Sequence, residues 1–184
     1  MKLVYRHQSL AVWMAWGLAL IFVPVLSANG RSLQHWVFAR FDMTWIKVAM
    51  ALALGVLVLL ALNWLWRKVN DIGWRPVLLV GLTLGLAFAI VVGSLHRVEE
   101  QMHFITFGVL GFLTAKLFSW PTAILIMLGI SVGDEVFQAW LPDRVGDWRD
   151  VVMNSIASLL GLMVAWIGNK RNFNLSEEFE KRRI

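Results

Sequence analysis

The sequence contains no cysteine among its 184 residues, which removes disulfides and thiolate metal sites while leaving the compartment open. Other lacks narrow the chemistry. There is no H-E-x-x-H pair, no nucleophile elbow and no phospholipid-transferase aspartate pattern, so the commonest zinc-hydrolase and serine-hydrolase readings have no anchor. No nucleic-acid motif accompanies the net charge of +5, and the hydropathy pattern shows no internal repeat of the kind that marks many transporters. No cofactor fingerprint is read, so no cofactor is assigned.

What is abundant is apolar length. Hydrophobic residues make up 59% of the chain, more than a soluble domain of this size needs. A hydrocarbon core about 30 Å thick takes roughly 20 apolar residues per helix, and six windows qualify. They run from Leu10 to Ala28, Thr44 to Trp66, Pro76 to Leu95, Gln101 to Trp120, Thr122 to Leu141 and Asp150 to Gly168. Pro121 separates the fourth from the fifth, because proline suits the first turn of a new helix better than the middle of a long one.

Eleven tryptophans, many of them near these ends, match the preference of indole for the headgroup boundary. The first window is longer than a usual signal core and lacks a clear small-x-small site after it, so it is read as a membrane helix and not as a cleaved signal peptide. The stretch Leu33, Trp36, Val37, Phe41 has helical apolar spacing and is expected to lie along the surface as a short separate helix.

The expected fold is therefore all-α, a polytopic transmembrane bundle of about six helices. It divides into three N-terminal helices (1–95), a core of three more (96–168) and a polar tail (169–184).

Basic residues sort by side. Lys2, Arg6, Arg67, Lys68, Arg75, Lys116, Lys170, Arg171, Lys181, Arg182 and Arg183 fall on one, and the smaller set of Arg31, Arg40, Lys47, Arg97, Arg144 and Arg149 on the other. The positive-inside rule then puts both termini in the cytoplasm. Attraction of this juxtamembrane charge to anionic lipid accounts for the net charge without a nucleic-acid partner.

Asp134 and Glu135 are the oddest feature, an adjacent acidic pair inside an apolar window. A carboxylate at mid-bilayer depth costs roughly 2.5–3.5 kcal/mol on insertion scales, so the pair demands protonation, partners or water. At 100° per residue Ser131, Asp134, Glu135 and Gln138 form one polar stripe, which should face protein. Asp150, Asn154, Ala157, Ser158 and Gly161 form another in the last window, polar above and small below, and this also serves as a plain packing face.

Glu99 stands four residues before His103, a spacing at which a carboxylate orients an imidazole. Arg144, in the loop above both stripes, is placed to neutralise the buried acids, and Asp147 or Asp150 to cap the following helix.

In order, Glu99-Glu100-Gln101-Met102-His103-Phe104, Asp134-Glu135-x-x-Gln138 and Pro142-x-Arg144-x-x-Asp147-x-x-Asp150-x-x-x-Asn154 resemble the VanZ-like family of membrane proteins. That family is associated with resistance to teicoplanin, a glycopeptide with a lipid tail. Glu100 stands where the family often has lysine, and Ala157 where glycine usually follows the asparagine. The resemblance implies a cell-envelope membrane protein and names no reaction.

The reading taken forward is an outward-facing pocket lined by Glu99, His103, Asp134, Glu135, Gln138, Arg144, Asp147, Asp150 and Asn154. It would bind or remodel an amphiphile, with a membrane lipid or lipid-linked envelope molecule as partner, in the cytoplasmic membrane. The oligomeric state is not specified. Alternatives are an intramembrane enzyme using His103 or Glu135 as general base, an ion-coupled transporter, and a ligand-free structural network. One histidine among acids is a poor zinc set and no metal is assigned, although oxygen ligands for magnesium or calcium stay open.

Overall fold

In the computed structural model the described residues are 9–94, 98–142, 144 and 146–168, with 94, 98 and 99 described by backbone alone. In hydrocarbon every backbone N–H and C=O must pair within its own segment, and the apolar runs accordingly become helices. The helices are α1 (Leu10–Phe38), α2 (Met43–Trp66), α3 (Val69–Ile72), α4 (Trp74–Ser94), α5 (Val98–Leu117), α6 (Trp120–Trp140) and α7 (Trp148–Ile167), with no strand among the described residues.

Five of them, α1, α2, α4, α6 and α7, are long and apolar enough to cross a membrane. At 20 residues α5 is also long enough, but it carries Glu100 and Lys116 near its two ends and is shielded by neighbours on several sides. The six windows of the sequence thus become five helices that qualify on composition, with α5 packed among them.

Two boundaries follow from local chemistry. Pro121 sits in the first turn of α6 directly after Ser119, where its missing N–H costs nothing. Asp147 is the N-cap of α7, its Oδ1 accepting the Arg149 N–H at 2.9 Å.

The expected separate surface helix near Leu33 is not formed. Residues 29–38 continue α1 as one helix of 29 residues, about 43 Å at 1.5 Å per residue. Nothing between Ala28 and Leu33 interrupts it, since neither Asn29 nor Gly30 removes a backbone donor as proline does. The short α3 also went unforeseen, closing at Gly73, whose φ of 84° ends the turn before α4.

The most extensive contact in the bundle joins α5 to α7. It depends on missing side chains: a Cβ on Gly161 would collide with the Gly108 carbonyl and lie 2.8 Å from the Phe112 nitrogen. Small residues let two backbones approach closely enough for dispersion contacts to accumulate where lipid offers no hydrophobic drive.

Phe107, Leu110, Met127, Ala157 and Leu162 fill the core between α5, α6 and α7. On the other flank Leu65, Val80, Leu84 and Val164 join α2 and α4 to α7. Away from these contacts Leu52, Leu59, Leu79, Leu82 and Leu125 are 62–70% exposed, as expected of side chains that meet lipid tails.

α1 is tied in at both ends. Near its start the Trp16 Nε1–H donates to Thr114 Oγ1 of α5 at 3.0 Å, and the rings of Trp13 and Trp16 pack edge-on against Phe118. Near the opposite end Ser27 is fully buried. That end, shared by the α1–α2, α4–α5 and α6–α7 connections, holds the polar site.

Candidate functional site

Asp134 lies six residues before the end of α6, about 9 Å along the helix, and it and Glu135 are 5% and 6% exposed. Ser131 and Gln138 are buried beside them, so the whole stripe faces protein. Helical spacing supplies the first partner: Gln138, one turn on, donates its Nε2–H bonds to Asp134 Oδ2 at 3.1 Å and Glu135 Oε1 at 3.3 Å.

Other elements supply the remaining partners. The hydroxyl of Ser27, on α1, donates to Asp134 Oδ1 at 2.5 Å. The backbone N–H of Asp147, entering α7, donates to Glu135 Oε2 at 3.0 Å. His103 of α5 directs Nδ1 to within 3.6 Å of Asp134 Oδ2, its ring stacked on Phe107 one turn along at 15° between planes.

The loop reaches Glu135 because Gly146 has no side chain. A Cβ there would sit 2.6 Å from the Glu135 carbonyl oxygen and 3.2 Å from the Ala139 Cβ, so any larger residue would lift the loop and carry the Asp147 N–H away.

Arg144, from the same loop, turns toward α1 and donates its Nε–H to the Ser27 carbonyl at 3.2 Å. Its guanidinium also lies close enough to attract the Asp134 carboxylate. Arg144 and His103 border a cavity of about 170 Å³, whose other walls include Leu26, Leu33 and Val37 of α1 and Ile46 and Met50 of α2.

The structure therefore brings His103, Asp134, Glu135, Gln138 and Arg144 together. Asp147 joins them through its backbone, while its side chain caps α7. Asp150, in the first turn of α7, lies near enough to repel Glu135.

Asn154 is 1% exposed, and neither polar atom of its side chain has a hydrogen-bond partner among the described residues, so it makes no bond to the acids. The pairing expected of Glu99 with His103 lies outside the described residues, because residue 99 is described by its backbone alone.

Three participants were not singled out from the sequence. Ser27 sits in an apolar run, where a serine most often bonds back to its own helix and gives no distant signal. Gly146 resembles any loop glycine. Arg149, 57% exposed, pairs with Glu100 at 2.7 Å across α5 and α7; opposite charges at the starts of neighbouring helices were the available sign.

Among the described residues one group has metal-ligand character: His103, Asp134 and Glu135 can each offer an atom within 4.8 Å of the others.

A family model described as VanZ/LLP1 covers residues 87–169, from within α4 through the whole of α7. No curated protein and no solved structure matches.

Proposed function

From the VanZ-like assignment of residues 87–169, we propose that this multi-pass protein sits in the cytoplasmic membrane with its polar site toward the outside, where it holds the headgroup of an amphiphile or lipid-linked envelope molecule. The observation that carries this reading is the cavity of about 170 Å³, apolar along α1 and α2 and ending at Arg144 and His103. Such a slot suits a molecule with an alkyl part and an anionic or hydroxylated head.

Arg144 matches phosphate or carboxylate, because a planar guanidinium donates two parallel hydrogen bonds. Asp134 does not line this cavity; it stands behind it, beside His103 and Arg144. Orientation is supported by charge: Arg67, Lys68, Arg75 and Lys116 all lie at the end of the bundle opposite the site, as cytoplasmic residues do under the positive-inside rule.

The test is native mass spectrometry of the purified protein, in which a lipid-linked or phospholipid adduct should be retained by the wild type and depleted at least tenfold in Arg144→Ala. Equal adducts in both would defeat the reading.

The acyl tail of a lipid-tailed glycopeptide has the alkyl chemistry that the apolar walls of the slot would take, which extends the proposal to that class. Expression in a susceptible host should raise the inhibitory concentration of teicoplanin, but not that of a glycopeptide without a tail, and Arg144→Ala should abolish the difference.

One observation favours a second reading. The 3.6 Å approach of His103 Nδ1 to Asp134 is that of a base held by a carboxylate, as an enzyme acting on a lipid-linked substrate would need. Under that reading His103→Gln keeps the adduct and loses turnover; under the first, there is no turnover to lose.

A further inference from the structure

We infer that His103, Asp134 and Glu135 form a divalent-cation site of the first transition row, with Gln138 as a fourth ligand. This deepens the headgroup reading and rests on it for the site's accessibility, since His103 also borders the cavity through which an ion would reach the acids.

The three donor atoms lie within 4.8 Å of one another, with His103 Nδ1 and Asp134 Oδ2 at 3.6 Å. An ion with bonds of about 2.1 Å needs neighbouring donors about 3.0–3.4 Å apart, so closure takes shifts of about 1 Å or less.

The unused oxygens are already fixed. Ser27 holds Asp134 Oδ1 and the Asp147 N–H holds Glu135 Oε2, which leaves Oδ2 and Oε1 converging on the Gln138 amide at 3.1 and 3.3 Å. Hydrogen bonds on the non-ligating atoms are the pattern that orients metal ligands. The Gln138 amide now bridges both carboxylates as a donor; a half-turn about its last bond presents the carbonyl oxygen to a cation at the same point.

Charge argues the same way. Two adjacent carboxylates, 5% and 6% exposed, face Asp150 from α7 as a further acid, Arg144 from the loop and His103 from α5. A dication offsets the negative charge of the two carboxylates. From the sequence a single histidine made zinc a poor choice and left magnesium or calcium open; the grouping of His103 with both acids revises that, since one imidazole nitrogen with carboxylate and amide oxygens suits Mn²⁺ or Zn²⁺ better than Mg²⁺ or Ca²⁺, which prefer oxygen alone.

The experiment uses the full chain with a histidine-free tag, purified in detergent and stripped with EDTA. Calorimetric titration with Mn²⁺ or Zn²⁺ should give one site per chain, with Mg²⁺ at least tenfold weaker, and added Mn²⁺ or Zn²⁺ should raise the thermal midpoint of the stripped protein. Glu135→Gln and His103→Gln should each weaken binding at least tenfold, and Ser27→Ala by about tenfold through its orienting bond.

Arg144→Ala removes a positive charge that competes for Asp134 and should bind the cation at least as tightly as the wild type while losing the lipid adduct, so the two proposals fail separately. Should the ligand variants not fold, X-ray absorption on the wild type loaded with Zn²⁺ decides: a shell of one imidazole nitrogen with oxygens supports the site. No saturable binding, binding unchanged in folded variants, or a shell without imidazole overturns it.

Discussion

At the scale of single residues, the contrast between Ser27 and Asn154 is instructive. The Ser27 hydroxyl crosses from α1 to a buried carboxylate, whereas Asn154 is buried with both polar side-chain atoms unpaired among the described residues. Ser27→Ala should therefore cost about 1–2 kcal/mol, read as a lower unfolding midpoint in detergent, because it leaves an acceptor unsatisfied.

Asn154→Leu should leave stability unchanged or raise it by about 1 kcal/mol, since an apolar isostere replaces a buried amide that gains no hydrogen bond among the described residues. If that variant folds better yet loses the lipid adduct, the amide serves a ligand; if the adduct stays, Asn154 is a packing residue.

Legibility at this scale followed spacing. Asp134, Glu135 and Gln138 announced themselves because they share one helix face, and a charged pair within an apolar window has no cheap structural explanation. Ser27 did not, because its partner lies 107 residues away and hydropathy carries no information about which span packs on which.

At the scale of elements, α5 and α7 approach through glycine, and this predicts an asymmetry between two otherwise similar substitutions. Gly161→Ala should destabilise by about 1–3 kcal/mol, because its Cβ meets the α5 backbone. Gly129→Ala, on α6 with nothing within 4 Å of an added Cβ, should be neutral or mildly stabilising. Thermal unfolding of the two variants side by side checks the pair.

The start of α2 adds a pH effect. The Thr44 N–H donates to Asp42 at 2.8 Å and its hydroxyl interacts with the same carboxyl, holding Asp42 below the usual carboxylate range. A depressed folded value stabilises above the unfolded pKa of about 3.9 and is lost as pH falls through the folded one. Asp42→Asn should thus flatten the acid limb of stability below about pH 4, and at neutral pH it should lose the charge-dependent part of the cap while keeping the neutral amide's own hydrogen bond to the Thr44 N–H.

Helix ends were legible where they carry chemistry, as at Pro121 and Asp147. They were not where hydropathy alone had to decide: Leu33 and Val37 could lie on a membrane surface or extend α1, and in the structure they extend it and line the cavity shared with α2 and Arg144.

At the scale of the whole molecule, the proposed topology rests on six spans, α5 counted with the five that qualify on composition, and on the distribution of charge. The proposed orientation predicts that a fluorescent protein fused after Ile184 lights up in the cytoplasm, and that a single cysteine introduced at Trp148, in the otherwise cysteine-free chain, reacts with an impermeant maleimide from outside. Labelling only after lysis would reverse the orientation and place the site inside. Helical class and apolar spans could be read from composition, because the bilayer leaves the backbone few choices. The meeting of α1 with α5 and α6 could not, because packing between apolar helices is decided by shape.

One dimension of the bundle carries a further consequence. α1 measures about 43 Å, against about 30 Å for α7, so the two cannot both match a single hydrocarbon thickness without tilting or projecting. Since α1 also delivers Ser27 to Asp134, any tilt by which α1 meets a thicker or thinner host membrane would act on the helix that holds the acid in place. Reconstitution in short- and long-chain lecithins would then tune the site mechanically, with the bilayer acting as an effector.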